Sequence, residues 1–501
     1  MFHEQGWIVK RAALSPYQTA LIDLESGRSW TYEQLKQRIV RWASYLTDKG
    51  FRKGDRIAVL AHNTSELIAI LFACEMKGLI YVPLNFRLHP LELQQLIHDC
   101  QPALLLFDNR NAETAKSLCV DRMEYLNVLD SYEEQSTNLL RETYPSDVPW
   151  MMIYTGGTTG ASKGVVLPSN AVNWNAINTI ISWGLTETDC TINYMPLFHT
   201  GGINALCLPI LMAGGTVVIG STFNAKEALQ ATNVYQATIS LFVPTMYQSI
   251  IQTEYFQEND FPSMNVFLSG GAPCPASIYL AFRKKGLRFK EGYGLTEAGP
   301  NNFFIRPEEA EHKVGSVGKS MVFNEVNIVA NGGASCGFGE VGELQIRGPH
   351  LFSHYWNKPL ETAEALQNGW LRTGDLARMD EDGDFYIVGR QKEMIISGGE
   401  NIYPLEIEQC LVLFEGVGEV AVIGVEDMLW GEKVVAFFTR LEGYDVTEQQ
   451  IAEHCKKSLG TFKVPKEFIH LKELPKTHVG KIDKQALHQE LNNRVKVNKK
   501  A

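Results

Sequence analysis

A chain of 501 residues exceeds the size at which one hydrophobic core stops growing, so it divides into two or more domains. Its 45% hydrophobic and 21% charged residues are ordinary for a soluble globular protein with ample material for a core. The net charge of −11, from 46 basic and 57 acidic residues with no block of like charges, speaks against nucleic-acid binding, which needs a basic face.

The first residues, MFHEQGWIVKRAALSPYQTALID, lack the apolar core of a signal peptide. Thr31-Tyr32-Glu33 opens an amphipathic helix carrying Leu35, Ile39, Trp42, Ala43 and Leu46, and the run from Arg56 to Leu60 reads as a short buried strand. The apolar stretch from Leu67 to Asn85 holds Glu75 and Lys77 in its middle, so it reads as a helix followed by a strand, not as a membrane span. Strands recur in the runs from Ala213 to Ile219, Ala237 to Phe242 and Asn265 to Leu268. Such alternation predicts an α/β fold with mixed sheets flanked by helices.

Between about Gly315 and Val388 short β runs are separated by Asn331-Gly332 and Asp382-Gly383, both hairpin signals. After Gly389 a second α+β unit of about 110 residues begins, enough to fold around its own core. Within it, the run from Glu406 to Phe414 reads as a helix, Val417 to Val425 and Glu432 to Arg440 as strands, and Thr447 to Leu459 as a further helix. The boundary falls at Arg390 to Lys392, giving a large domain of residues 1–390 and a small one of residues 391–501. The nine cysteines are odd in number, scattered and without a C-x-x-C pair, which points to reduced thiols and a cytoplasmic location.

Several motifs carry chemistry. After the apolar Met151-Met152-Ile153 comes Tyr154-Thr155-Gly156-Gly157-Thr158-Thr159-Gly160-Ala161-Ser162-Lys163-Gly164. A loop so rich in Gly and Thr can turn backbone N–H groups and hydroxyls toward a polyphosphate, with Lys163 adding a cation. The order Ser162-Lys163-Gly164 fits no Walker A frame. Downstream lie Pro196-Leu197-Phe198-His199-Thr200-Gly201-Gly202, Glu291-Gly292-Tyr293-Gly294-Leu295-Thr296-Glu297, Gly369-Trp370-Leu371-Arg372-Thr373-Gly374-Asp375, Gly389-Arg390-Gln391-Lys392, Ser397-Gly398-Gly399-Glu400-Asn401-Ile402-Tyr403-Pro404 and Pro475-Lys476-Thr477-His478-Val479-Gly480-Lys481-Ile482. Each has a bland reading on its own. His199 would be a structural histidine, Tyr293 core packing, Thr373-Gly374-Asp375 a turn, and Lys481 a solvated charge.

Together and in this order, from about Thr31 to about Leu487, the motifs resemble the acyl-adenylate-forming superfamily. That group comprises acyl-CoA synthetases, the adenylation domains of peptide synthetases, and firefly luciferase. The pattern looks most like fatty-acyl-CoA synthetases. Gly156 and Ser162 stand where the family usually has Ser and Pro. The resemblance implies a large N-terminal domain with a β-barrel-like portion and a small mobile C-terminal lid. It implies ATP, Mg²⁺ and coenzyme A as the molecules handled.

By the same resemblance, ATP contacts come from Thr155, Gly156, Gly157, Thr158, Thr159, Gly160 and Lys163. Others come from Gly271, Ala272 and Pro273, from Glu291, Gly292, Tyr293 (stacked on adenine) and Gly294, and from Asp375 (on the ribose) and Arg390. Thr296 bonds the α-phosphate, Glu297 holds Mg²⁺ with Thr158, and Lys481 bridges the acid and the α-phosphate. Lys392 is the hinge, and Ser397, Gly398, Gly399 and Glu400 line the pantetheine tunnel. His199 gates an acyl pocket shared with Asn204, Gly270, Gly271 and Gly294.

These groups suit the activation of a carboxylate, whose approach to a phosphate is opposed by charge repulsion that fixed positive charge relieves. The implied reaction is acyl-AMP formation with pyrophosphate release, then transfer to CoA. A medium- or long-chain fatty acid is the expected substrate, with 2-succinylbenzoate or another aryl acid as the alternative, and loading of a separate carrier protein as a further one. The expected partners are these small molecules, and a homodimer is compatible with the family's habits.

Overall fold

The structure, a computed structural model, describes residues 6–133, 144–155, 162–330, 332–477 and 481–498. Its centre is a seven-stranded sheet in the order His354–Tyr355, Lys163–Pro168, Pro149–Thr155, Ile80–Pro83, Arg56–Leu60, Leu104–Phe107, Met123–Tyr125. The strands from Pro149–Thr155 to Met123–Tyr125 pair in parallel, and the two on the other side pair antiparallel. Parallel strands covered on both faces read as continuous apolar runs, and Arg56–Leu60 shows why. Ile57 and Val59 enter one buried cluster while Ala58 and Leu60 enter another on the opposite face.

The helix Tyr32–Asp48 packs on this sheet's helical layer against Ser65–Lys77. It starts where it does because Thr31 and Gln34 satisfy each other's orphan N–H groups in a capping box. A second parallel sheet joins Ile239–Phe242, Val266–Ser269 and Phe289–Glu291. Its core is aromatic, with Phe282 within 5.3 Å (ring centroids) of Tyr247, Phe256, Phe267 and Phe289. A four-stranded sheet places Cys190–Asn193 beside Thr216–Ile219.

The short β runs after residue 300 form an antiparallel sheet in the order Phe303–Phe304, Ser316–Ser320, Phe385–Arg390, Trp370–Met379, Gly342–Arg347, Glu325–Val329, with Leu366–Gln367 on its side. This sheet stands where the barrel-like portion is expected. Asp382-Gly383 does turn the hairpin between Trp370–Met379 and Phe385–Arg390, with Gly383 at φ +83°. Asn331 lies outside the described residues.

From Ile395 onward the chain builds its own five-stranded sheet, whose long hairpin Val417–Asp427/Gly431–Arg440 is buried on both faces. Val420 and Val422 face one cluster, and Ala421 and Ile423 the other.

Several boundaries differ from the sequence reading by a few residues. Ala213 ends the helix Cys207–Ala213, because Gly214 at φ +103° caps it and the strand begins only at Thr216. The strand from Val417 runs on to Asp427, held by its hairpin partner. The helix expected from Glu406 to Phe414 is Pro404–Val412, with Pro404 in its first turn. The helix at Lys484–Asn498 had no strong apolar period to announce it, and that at Trp7–Leu14 went unread. Among the described residues, no helix is long and apolar enough to cross a membrane.

Candidate active site

The motifs converge because most follow the C-terminal end of a strand, where open α/β sheets expose their loops. Thr155 ends Pro149–Thr155, Gly270 follows Ser269, Gly292 follows Glu291, and the segment to His199 follows Asn193. Gly156, Gly157, Thr158, Thr159 and Gly160 lie outside the described residues. The two strands flanking them form a hairpin in which Thr155 pairs with Lys163.

Asp375 and Arg390 are cross-strand partners. The Arg390 Nε sits 2.6 Å from Asp375 Oδ1, and the Tyr293 hydroxyl donates to Asp375 Oδ2 at 2.5 Å. Burial pushes the Asp375 carboxyl above its ordinary range, against the pull of Arg390, the Tyr293 hydroxyl and Lys481. Gly294 passes so close to the following turn that a Cβ would lie 2.2 Å from Pro300 O, so only glycine fits there. Thr296 is buried, whereas Glu297 is half-buried with its Oε1 accepting from Tyr355 at 2.8 Å. Burial raises the Glu297 pKa, partly offset by that hydrogen bond, by Arg390 and by Lys163.

A half-buried carboxylate that accepts from Tyr355 and still has lone-pair sites to spare, of about four, suits a hard cation. Glu297 therefore fits the expected magnesium ion. Thr158, its expected partner, is outside the described residues.

Lys481, from the small sheet's end of the chain, comes within electrostatic reach of Asp375 and Arg390. Its loop is closed by the Thr477 N–H donating to Lys481 O at 2.7 Å and the Asp483 N–H donating to Pro475 O at 2.8 Å. Three residues on, the Lys484 ammonium is anchored to Glu393 at 2.8 Å and Glu408 at 3.0 Å. Lys481 stays exposed at the cleft mouth. The protein around it nonetheless lowers its pKa, as does Arg390, while Asp375 and Glu393 oppose that shift.

The same lysine acts on His199, whose pKa burial lowers to about 4, with Lys481 and Arg87 pushing the same way. The His199 Nε2 is buried and has no hydrogen-bond partner among the described residues. Lys481 thus lies within electrostatic reach of Arg390, Asp375, Glu393 and His199, although they come from distant parts of the chain.

Some expected residues take a different posture. The Glu291 side chain does not face the cleft. Its Oε1 accepts from the Tyr279 hydroxyl at 2.9 Å and its Oε2 from the Cys274 N–H at 3.2 Å, and burial raises its pKa to about 7. Glu291 thereby ties down the loop holding Gly270, Gly271, Ala272 and Pro273. Within that loop Gly271 sits at φ +82°, and a Cβ on Gly270 would stand 3.4 Å from Leu241.

Asn204 is buried, with its amide on Thr200 Oγ1 at 3.0 Å and near Met151 Sδ at 3.7 Å, so its side chain turns into the interior. Gly292 ends the backbone that carries Tyr293, with its N–H on Ser269 O at 2.8 Å. Lys392 lies in the turn Gln391–Glu393 between the last strand of the antiparallel sheet and the small sheet. Ser397 is buried, whereas Gly398, Gly399 and Glu400 are exposed at a tight turn with Gly398 at φ +59° and Gly399 at φ +87°. Sequence reasoning missed Glu393, Lys484 and Tyr355. Only the aromatic run His354-Tyr355-Trp356 gave any hint of the last.

The profile of the AMP-binding enzyme family matches residues 8–356, and that of the AMP-binding enzyme C-terminal domain matches residues 406–481. A feruloyl-CoA synthase of an Amycolatopsis species is 36% identical, over 95% of this chain and 96% of its own length. The long-chain-fatty-acid–CoA ligase FadD13 of Mycobacterium tuberculosis is 32% identical over 97% of this chain and 98% of its own. Among solved structures, the o-succinylbenzoate CoA synthetase of Bacillus subtilis, in complex with its acyl-adenylate intermediate, superposes with a TM-score of 0.87. It is 31% identical, over 96% of this chain and 97% of that one.

Proposed function

This chain belongs to the AMP-binding enzyme family, as an AMP-forming acid–thiol ligase of the acyl-CoA synthetase branch, and from that premise we propose that it makes acyl-CoA in two steps at the cleft around Lys481. In the first, a carboxylate oxygen attacks the α-phosphorus of ATP, the new O–P bond forms, and pyrophosphate leaves. In the second, the sulfur of CoA attacks the acyl carbon and AMP leaves. The observation that carries this reading is the Asp375–Arg390–Tyr293 cluster, with Lys481 within electrostatic reach of it and of His199.

In this reading Lys481 holds the attacking carboxylate against the α-phosphate, where a unit-charge contact at ~4 Å is worth ~4 kcal/mol at an effective dielectric of ~20. Thr296 donates to the α-phosphate. Asp375, already fixed by Arg390 and Tyr293, has lone pairs left for the ribose hydroxyls. Tyr293 offers its ring to the adenine. His199 is neutral at pH 7 and adds no positive charge to the pocket it borders. Glu297 would hold magnesium, which supplies positive charge against the phosphates. Residues 1–390 act as the body and 391–501 as the lid, with Lys392 as hinge and the Ser397-Gly398-Gly399-Glu400 turn as the face that admits CoA.

The acid has an apolar body. The apolar side chains of Leu241 and Val243 beside Gly270 and Gly271 support a medium- or long-chain fatty acid. The higher identity to a feruloyl-CoA synthase than to the fatty-acid ligase favours a second reading, an aryl acid. Pyrophosphate release over acids of graded length and ring type, with CoA present and products resolved, tests both. Acyl-CoA plus AMP is expected, and ADP as product would end the proposal.

A further inference from the structure

Tyr355 touches both Lys163 and Glu297. Its hydroxyl donates to Glu297 Oε1 at 2.8 Å, and the Lys163 ammonium lies 4.9 Å from the centre of its ring. The side chain is 8% exposed, so neither contact is a passing one of a free surface residue. The backbone locks it there. His354–Tyr355 pairs antiparallel with Lys163–Pro168, the Trp356 N–H donates to Gly164 O at 2.7 Å, and the Phe352 N–H donates to Glu297 O at 2.8 Å. One short segment therefore straps the strand bearing Lys163 to the turn bearing Glu297.

A lysine and a carboxylate that share one side chain as neighbour and feel each other's charge would ordinarily seek each other. A direct ion pair would fill the carboxylate with an ammonium and withdraw the lysine from any phosphate. The aromatic face offers the ammonium an alternative worth about 0.5–2 kcal/mol. The hydroxyl meanwhile fixes one carboxylate oxygen and leaves the other lone pairs open to a cation, as outer partners of metal ligands commonly do.

We propose that Tyr355 is a positioning residue that holds Glu297 ready for magnesium–nucleotide and keeps Lys163 from neutralising it. This inference rests on the ligase reading given above.

The test is Tyr355→Phe, which keeps the ring and removes the hydroxyl. Manganese binding to the enzyme with a non-hydrolysable ATP analogue, followed by electron paramagnetic resonance, should weaken about 10-fold, within the 10–100-fold typical of lost outer partners. The magnesium concentration for half-maximal pyrophosphate release should rise in parallel. Thioester formation from supplied acyl-adenylate should stay within about twofold, which a general packing defect would not allow. In a Glu297→Gln background the tyrosine change should add nothing further, because the partner is already altered. Unchanged manganese affinity in Tyr355→Phe, or equal loss in both half-reactions, would overturn the inference. If the wild type releases no pyrophosphate with any acid, the ligase reading itself is what has failed.

Discussion

His199 shows how burial decides what a side chain can do. Its folded pKa of about 4 lies below the ordinary 6.5, so the unfolded chain takes up a proton in that interval and the folded one does not. The contribution to stability is therefore full above pH 6.5 and is lost as pH falls toward 4. Its ring signals in an NMR titration should stay flat from about pH 5 to 8, whereas an ordinary histidine would titrate near its midpoint. A midpoint near 6.5 would remove the neutral-imidazole role.

Lys481 is the complementary case, a charge retained at the cleft mouth. Replacing it with Ala should slow adenylation ~10²–10³-fold, since each ~1.4 kcal/mol is tenfold. Thioester formation from supplied acyl-AMP should survive, and equal damage to both steps would sink its proposed role. The motif around Lys481 was legible in the sequence because its residue spacing is distinctive. Tyr355 was not, because its meaning lies in two partners 58 and 192 positions away.

At the scale of elements, the strands and helices with strong periodicity were readable to within a few residues, and the loops were placed by what packs beneath them. Glu291 is the instructive miss. It stands inside a nucleotide motif, yet strand alternation points its carboxylate at Tyr279 and Cys274. The hairpin at Asp380, Asp382 and Asp384 carries another lesson. All three carboxylates converge on the Lys313 ammonium at 2.9, 2.8 and 2.6 Å, which pins the hairpin to the segment before Ser316–Ser320.

Burial raises the Asp380 pKa, but its hydrogen bonds from Lys313 and from the backbone outweigh that and leave it below the ordinary 3.8. The stabilisation is thus present above that value and fades as pH falls beneath it. Lys313→Met should speed amide exchange in the hairpin at pH 7, by an amount equivalent to about 1 kcal/mol. The difference from wild type should narrow below about pH 4. Equal exchange at neutral pH would show that the ammonium contributes nothing.

For the whole molecule, the hinge reading predicts an asymmetry. Proline fixes φ and removes an N–H, so Lys392→Pro should hinder rotation of residues 391–501. Because Lys481 already stands within electrostatic reach of Asp375 and His199, pyrophosphate release should persist. Acyl-CoA formation from supplied adenylate should fall about 10-fold or more. Parallel loss of both would argue for a rigid molecule.

Among the described residues, no buried apolar cluster has members on both sides of Arg390. Swinging the lid would therefore bare little oily surface to water, and the heat-capacity change of that motion should be small beside that of melting. A balance between two postures set mostly by polar contacts drifts gently on warming or cooling. On the proposed two-posture reading, such a balance would keep both half-reactions in step across a range of temperatures without retuning the interior.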